Sequence, residues 1–398
     1  MTKTIKAIFM TVSVAMVLFI VAGALGVKAS DKDGAYAQLG VYSEVLQRIR
    51  SEYVEEPNFQ AVKHGALHGL LESLDANSSY LSPAEYKKYR EQKEAKAGIG
   101  ATISKRFGFA AVVSVIPGGP ADKAGLQSGD IIEALEGRST RNMSIAEIRN
   151  TMNGTKGSHV TFSVVRPRRA EPEKMVLQRD EVSIPSVTEK VLESNIGYIK
   201  VSALTKGKAA DIANKIQAAQ SSGAKKLILD LRNVGEGEVS EGIAAANLFL
   251  DRGSITFLKG QKYPREDFNA DSQKAVTKLP LVVLVNRGTA GPAEIVAAAI
   301  LENGRGDVLG EKTFGLGSVQ RLIEINDGSA VILSVAKYYS PSGKAIQDQA
   351  VTPNIVVAAE VPEVSDGEGD EDETPEPKKP TTDEQLQRAI AVLKSKSA

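Results

Sequence analysis

Few residue types in this chain could carry out chemistry, and their spacing excludes several kinds of site. Cysteine is absent, so no disulfide, thiolate nucleophile or thiol-attached lipid is available. The three histidines are His64, His68 and His159. His64 and His68 could share one helix face, but no carboxylate pattern accompanies them, so we interpret them as ordinary surface or interface residues. No Ser-His-Asp triad or glycine-rich phosphate loop is indicated, and we expect neither a metal nor a cofactor.

Two glycine-rich segments are the most informative part of the sequence. Residues 286–295 read Asn-Arg-Gly-Thr-Ala-Gly-Pro-Ala-Glu-Ile, and residues 310–320 read Gly-Glu-Lys-Thr-Phe-Gly-Leu-Gly-Ser-Val-Gln. They resemble the nucleophile loop and the catalytic-lysine loop of the tail-specific, or C-terminal processing, serine proteases. The resemblance places Gly291 at the position of the nucleophilic serine and Leu316 at that of the basic lysine, and it retains Gln320. Glycine cannot attack a carbonyl and leucine cannot accept a proton, so the resemblance implies a protease fold whose catalytic dyad is lost.

The family's oxyanion segment, Asp-Leu-Arg-x-Asn-Pro-Gly-Gly, matches residues 230–237 of this chain. Its oxyanion region is Gly235, Glu236 and Gly237, and Glu236 stands where the family has glycine. A carboxylate there would oppose a developing oxyanion if it pointed inward. We interpret Asp230 and Arg232, at the end of the preceding strand, as residues that brace the loop.

Other residues near the two segments offer an alternative dyad. Thr289 precedes Gly291 by two positions, and Lys312 precedes Leu316 by four. A shift of two residues in a tight turn re-aims a side chain completely, so this alternative is the less favoured one. Ser318 matches a family position that is not the nucleophile, and we interpret it as part of the turn.

Residues 97–180 resemble a PDZ domain. Residues 98–100 (Gly98-Ile99-Gly100) match its carboxylate-binding loop, and residues 117–132 match the long Gly-x-Pro-Ala-x-x-Ala-Gly-Leu-x-x-Gly-Asp-x-Ile pattern of bacterial protease PDZ domains. A helix is predicted over residues 144–152, with Ser144 as its N-cap. Its apolar residues Ile145 and Ile148 are expected to line the peptide groove or the core. The resemblance implies that backbone N–H groups receive a peptide C-terminus; the alternative is a domain that only packs against the rest of the protein.

The remaining sequence completes a multidomain fold of α+β and α/β class. Strands alternate with helices in the protease-like core, and its apolar runs are typical of buried parallel strands. The predicted parts are a signal peptide or membrane anchor (1–29), an N-terminal helical region (30–96), the PDZ domain (97–180), the tail-specific protease-like core (181–360), an acidic proline-rich linker (361–380) and a C-terminal helix (381–398).

The first residues predict export. Lys3 and Lys6 precede an uncharged, largely apolar run over residues 7–27, which is long enough to span a bilayer. A cleaved signal peptide and a retained anchor both place the rest outside the cytoplasmic membrane, in the periplasm or another extracytoplasmic space, and the length favours the anchor. Lys+Arg and Asp+Glu both total 49, and this balance argues against nucleic-acid binding.

Two functions follow from these patterns. The first is a pseudoprotease that binds peptide or protein C-termini through its PDZ domain and regulates or scaffolds a partner, either an active paralogue or a second copy of itself. The second is an active endopeptidase that trims C-terminal tails with a displaced nucleophile.

Overall fold

A computed structural model describes residues 33–92, 97–166, 171–359 and 383–396. The chain divides into two compact units, residues 1–65 and 66–398. The expected signal or anchor (1–29) and linker (361–380) lie outside the described residues. Within those residues, no helix is both long enough and apolar enough to cross a membrane. The α-helices are α1 (Asp33–Glu52), α2 (Phe59–Glu72), α3 (Pro83–Gln92), α4 (Pro120–Lys123), α5 (Ile145–Met152), α6 (Lys208–Ser221), α7 (Val239–Asn247), α8 (Pro292–Glu302) and α9 (Glu384–Ser395).

The strands form three sheets. The first has the order β2-β3-β4-β6-β7, with β5 paired to β4; the second has the order β17-β14-β13-β10-β9-β8; and the third has the order β1-β16-β11-β12, with β15 paired to β16. The strands are β1 (Ser79–Leu81), β2 (Ala101–Arg106), β3 (Phe109–Val115), β4 (Ile131–Leu135), β5 (Arg138–Ser139), β6 (His159–Val165), β7 (Glu173–Gln178), β8 (Thr188–Leu192), β9 (Ile196–Lys200), β10 (Lys226–Asp230), β11 (Ser254–Lys259), β12 (Glu266–Asn269), β13 (Leu281–Val285), β14 (Asp307–Gly310), β15 (Ser318–Glu324), β16 (Ala330–Tyr339) and β17 (Ile355–Val356).

The first sheet is antiparallel and lies in the predicted PDZ range. Helix α5 closes its core: Ile145, Ile148 and Met152 are buried together with sheet residues such as Ile103. The predicted helix start is present, because Ser144 Oγ accepts the Glu147 N–H at 3.1 Å. This cap satisfies a donor at the first turn and fixes where α5 begins beside β2.

The second sheet is the centre of the protein. Five of its strands are parallel, and β8 adds antiparallel to β9. Every residue of β13 is buried, as an all-apolar strand covered on both faces requires. One face packs on α6, α7 and α8. The other face packs on α9, through Ala389, Ile390 and Leu393.

The third sheet contains a strand from the predicted N-terminal helical region. The segment Ser79–Leu81 pairs antiparallel with Ala330–Ile332 of β16, and all three of its residues are buried. Residues 30–96 therefore include one strand of the core in addition to their helices.

Candidate functional site

Three neighbouring strands of the central sheet end at the candidate site. Strands β14, β13 and β10 are adjacent and parallel, so the loops at their carboxyl ends lie at the same edge. These loops are residues 311–317, 286–291 and 231–238. The geometry therefore brings together the three segments that sequence analysis associated with base, nucleophile and oxyanion.

Gly291 forms a sharp turn between the β13 loop and α8. Its backbone has φ 59° and ψ −120°, a conformation that side-chain-bearing residues adopt only under strain. A Cβ placed on Gly291 would meet only the Leu316 carbonyl oxygen, at 3.9 Å. The turn is thus shaped like a nucleophile elbow, with open space in place of a side chain, and the position of the expected base lies beside it.

Glu294 joins the two loops. It is fully buried, and its Oε2 accepts the N–H of Gly291 at 3.0 Å and the N–H of Leu316 at 2.7 Å. Its Oε1 accepts the N–H of Gly315 at 2.8 Å and the hydroxyl of Thr313. Burial raises the pKa of the Glu294 carboxyl to about 7, against the lowering effect of these four donors. In the sequence, Glu294 is only an acidic residue in the first turn of a helix that follows a glycine turn; its bonds to the second loop become visible in the structure.

The predicted residues of the second loop are not directed into a proton-transfer arrangement. Leu316 is half-buried and offers an apolar side chain. Gln320 is exposed on β15, where its Nε2 donates to Ser318 Oγ at 2.7 Å and to Ser334 Oγ at 3.3 Å. Ser318 also accepts from Asn77 Nδ2 at 3.2 Å, so it belongs to a polar cluster on the third sheet.

The oxyanion segment runs against both the core and the PDZ sheet. Gly237 has φ 149°, and a Cβ there would lie 2.4 Å from the Leu204 carbonyl oxygen. A Cβ on Gly235 would lie 2.5 Å from Ser114 Oγ of β3, a side-chain atom that can move, so the need for glycine is strict only at Gly237. Glu236 is exposed, and its Oε2 accepts the hydroxyl of Thr102 in β2 at 3.3 Å. Its carboxylate is therefore directed toward the PDZ strand.

Pro292 is the residue after the turn, and its type decides which backbone donors the turn can offer. In a nucleophile elbow, the N–H of the residue after the nucleophile is one donor of the oxyanion hole. Proline has no N–H, so Pro292 removes that donor. The missing N–H can be read from the residue type alone.

The alternative dyad residues occupy structural positions. Thr289 is fully buried; its Oγ1 donates to the Leu231 carbonyl at 2.8 Å and accepts the Asn286 N–H at 3.0 Å. Lys312 is exposed. The Thr289 hydroxyl is thus part of the packing between the β10 and β13 loops.

Asp230 and Arg232 form a polar cluster with the C-terminal helix. Arg232 donates to Asp230 through Nε and Nη2, and to both carboxylate oxygens of Asp383 at 2.8 Å. Tyr198 donates to Asp230 Oδ2 at 2.6 Å, and burial followed by the Asp230 charge raises the pKa of that phenol. The bracing therefore joins β9, the β10 loop and the start of α9.

The predicted peptide-binding loop keeps backbone donors available. Gly98 N–H donates to the Asp180 carbonyl at 3.0 Å. The N–H groups of Ile99 and Gly100 make no hydrogen bond with any residue that the structure describes. Ile145 and Ile148, which were predicted to line the groove or the core, are 2% and 0% exposed and lie in the PDZ core.

A cleft of about 670 Å³ opens between the PDZ domain and the carboxyl ends of the central strands. Its lining is charged, with Asp130 and Arg166 from the PDZ side and Lys200, Arg232 and Arg287 from the core. The described residues contain no group of three or more His, Asp or Glu arranged to hold a metal ion.

Comparison with known proteins identifies the family. The chain is 31% identical over 366 residues to the carboxy-terminal-processing protease of Bartonella bacilliformis. This match covers 90% of this chain and 84% of that protein. It is 34% identical over 358 residues to the carboxy-terminal processing protease CtpA of Bacillus subtilis, covering 88% of this chain and 75% of that protein. Residues 195–357 match peptidase family S41, and residues 112–166 match a PDZ domain. The chain belongs to peptidase family S41.

The fold of this S41 member matches that of a solved relative. The photosystem II D1 C-terminal processing protease superposes with a TM-score of 0.67 at 27% identity, covering 80% of this chain and 86% of the other. The predicted family and the mixed fold with PDZ and protease domains are confirmed.

Proposed function

We propose that this S41 member has no peptidase activity and binds the C-termini of peptides or proteins through its PDZ domain, thereby regulating or scaffolding an active partner. The observation that carries the proposal is Gly291 at the sharp turn before α8. The turn has the backbone of a nucleophile elbow but no atom that attacks. The neighbouring base position holds Leu316, which cannot accept a proton.

Two further features support the absence of catalysis. Pro292 supplies no N–H to an oxyanion hole at this turn. Thr289 is fully buried, and its hydroxyl is bonded to Leu231 and Asn286. At this one site, the positions of the nucleophile, the base and an oxyanion donor therefore all hold residues that lack the required group. The hydroxyl of Thr289, the nearest substitute, is already hydrogen-bonded inside the protein.

Peptide binding is supported by the loop at residues 98–100. The N–H groups of Ile99 and Gly100 are unbonded within the described part of the chain, as a loop that receives a carboxylate requires. Strand β2 follows directly and is the edge of its sheet. An extended peptide would add beside it with its terminal carboxylate at the loop.

A helical surface supports association with another chain. In α1, the apolar residues Leu39, Tyr42 and Leu46 follow i, i+3, i+7 spacing and are 56%, 52% and 43% exposed. Apolar side chains with this spacing are typical of helix–helix contacts. We propose an active paralogue or a second copy as the partner, in an extracytoplasmic location with residues 1–29 as leader or membrane anchor.

An active C-terminal-processing peptidase is the second candidate function, and the names of the relatives and the retained turn favour it. The two are separated by incubating the full chain with an unfolded protein that ends in an apolar C-terminus. We expect no cleavage. Cleavage that survives repurification and is lost in Thr289→Val would overturn the proposal and identify the displaced nucleophile.

Reversion variants provide the matched controls. Gly291→Ser with Leu316→Lys restores nucleophile and base but still lacks the N–H at residue 292. The triple variant that adds Pro292→Ala restores that donor as well. One oxyanion donor contributes about 10²–10³-fold to the rate, so we expect the triple variant to exceed the double variant by that factor. Equal rates would show that Pro292 is not part of the defect.

A further inference from the structure

The PDZ groove contains an arginine that no sequence pattern indicated. Strand β2 has β3 on one side, and α5 packs beside its other edge. The Gly100 carbonyl accepts the Ile116 N–H at 2.8 Å, so it points toward β3. The residue paired with Ile103 in β3 is Val112, whose N–H and C=O bond Asp130 and Gly129 on the far side of β3. The N–H and C=O of Ile103 therefore point away from β3, into the groove.

The guanidinium of Arg149 in α5 binds the Ile103 carbonyl oxygen in this groove. Its Nε and Nη2 both donate to the Ile103 oxygen, at 3.1 and 2.9 Å. A guanidinium has five N–H donors, and the described residues supply Arg149 with no ion pair. The groove therefore holds a cation whose hydrogen-bonding capacity is only partly used.

Glu236 is the acidic residue whose charge acts on the Arg149 guanidinium. Its carboxylate accepts from Thr102, the neighbour of Ile103 on β2. Arg149 is exposed as a residue; loss of water around its guanidinium beside β2 lowers its pKa, and the charge of Glu236 opposes this. Glu236 thus places negative charge near Arg149 at the position where the family pattern has glycine.

A bound peptide must compete with Arg149 for the Ile103 carbonyl. If the terminal carboxylate lies at the Ile99 and Gly100 N–H groups and the peptide runs antiparallel to β2, its third residue from the end lies opposite Ile103. Opposite residues of an antiparallel pair project to the same face. The Ile103 side chain is buried with α5, so the peptide side chain also faces α5.

We propose that Arg149 makes the groove selective for peptides whose third residue from the C-terminus is Asp or Glu. The peptide N–H takes the Ile103 carbonyl, and the displaced guanidinium binds the peptide carboxylate, so every donor keeps an acceptor. A neutral side chain leaves the displaced guanidinium with a weaker acceptor. Glu236 competes with the peptide carboxylate for the same cation and moderates the selectivity. This inference rests on the proposed peptide-binding function.

The test uses the full chain and fluorescence anisotropy with two labelled decapeptides ending in Asp-Val-Ala or Asn-Val-Ala. An amidated form of each peptide controls for binding of the terminal carboxylate. We expect the Asp peptide to bind at least about tenfold more tightly than the Asn peptide, since hydrogen bonds to charged groups are stronger than neutral ones. Arg149→Gln should reduce this ratio to about one, Arg149→Lys should retain part of it, and Glu236→Gln should increase it.

The matched control is Arg138→Gln. Arg138 bonds Glu147 of α5 at 2.6 Å at the exposed rim of the domain, so its loss should leave the ratio unchanged. Equal binding of both free peptides by the wild type would overturn the selectivity while preserving peptide binding. No binding of either free peptide would overturn both, and the wild-type comparison does not depend on the folding of any variant.

Discussion

Arg232 is expected to hold the C-terminal helix on the protein. Arg232→Ala removes the shared partner of Asp230 and Asp383. Asp230 is 1% exposed, and it would keep the Tyr198 hydroxyl and the backbone N–H of residue 232 but no cation. Removing one partner of a buried ion pair costs about 3–5 kcal/mol, because the remaining charge stays buried. Helix α9 loses its anchor at Asp383 in the same change.

Hydrogen exchange of the α9 amides measures this effect directly. If α9 opens by local undocking, about 3–5 kcal/mol corresponds to exchange faster by roughly two to three and a half powers of ten. Arg232→Lys keeps a charge but not the bidentate geometry, so it should lie between wild type and Arg232→Ala. Lys394→Ala is the matched control, because its ion pair with Glu193 is exposed and worth less than about 1 kcal/mol. Exchange in Arg232→Ala equal to that in Lys394→Ala would refute the reasoning.

Three further predictions concern packing, capping and protonation. Gly242→Ala places a Cβ 2.6 Å from the Pro292 carbonyl oxygen, so separating α7 from α8 should cost about 1–3 kcal/mol and lower the Tm by roughly 2–10 °C in thermal unfolding. Lys226→Met removes the ammonium that donates to the carbonyls of Leu393 and Lys396 at 2.7 and 2.6 Å, and amide exchange in the last turn of α9 should rise about tenfold. The Glu294 pKa rises from 4.5 to about 7 on folding, so its stabilising contribution is complete below pH 4.5 and is lost as the pH rises through 7. The stability difference between wild type and Glu294→Gln should therefore change by about 3 kcal/mol over that window in urea titrations.

Each of these predictions has a clear contrary result. An unchanged Tm in Gly242→Ala would mean that the two helices separate without cost. Unaltered exchange in Lys226→Met would show that water satisfies the terminal carbonyls equally well. A constant difference between wild type and Glu294→Gln from pH 4.5 to 7.5 would mean that folding does not raise the pKa of Glu294.

The fold was largely accessible from local patterns. The Ser144 cap, the all-apolar β13 and Pro292 at a helix start each act within a few residues, so the sequence alone indicates them. Strand β1 was not predictable in this way. Three residues carry no periodic signal, and their strand conformation comes from pairing with Ala330–Ile332.

The features of the candidate site also fall into those that local sequence indicates and those that only the fold reveals. That Gly291 carries no nucleophilic atom and Leu316 no basic one follows from residue type alone. The four bonds of Glu294, the Thr289 hydroxyl bond and the reach of Arg149 to Ile103 depend on distances between segments that only the fold brings together. Pro292 is the exception, since its missing N–H could have been inferred from the sequence.

The pairing of β1 with β16 also determines how late in synthesis β1 can reach its final place in the sheet. Ser79 meets its partner Ile332 only after about 250 further residues have been made. At roughly 5–20 residues per second, the ribosome needs on the order of 10–50 s to make them. Tyr80 and Leu81, buried in the finished protein, stay without their strand partner throughout that time. The early segment of the chain is therefore among the last to be fixed in place, so Tyr80 and Leu81 stay open to chaperones while the later residues are made.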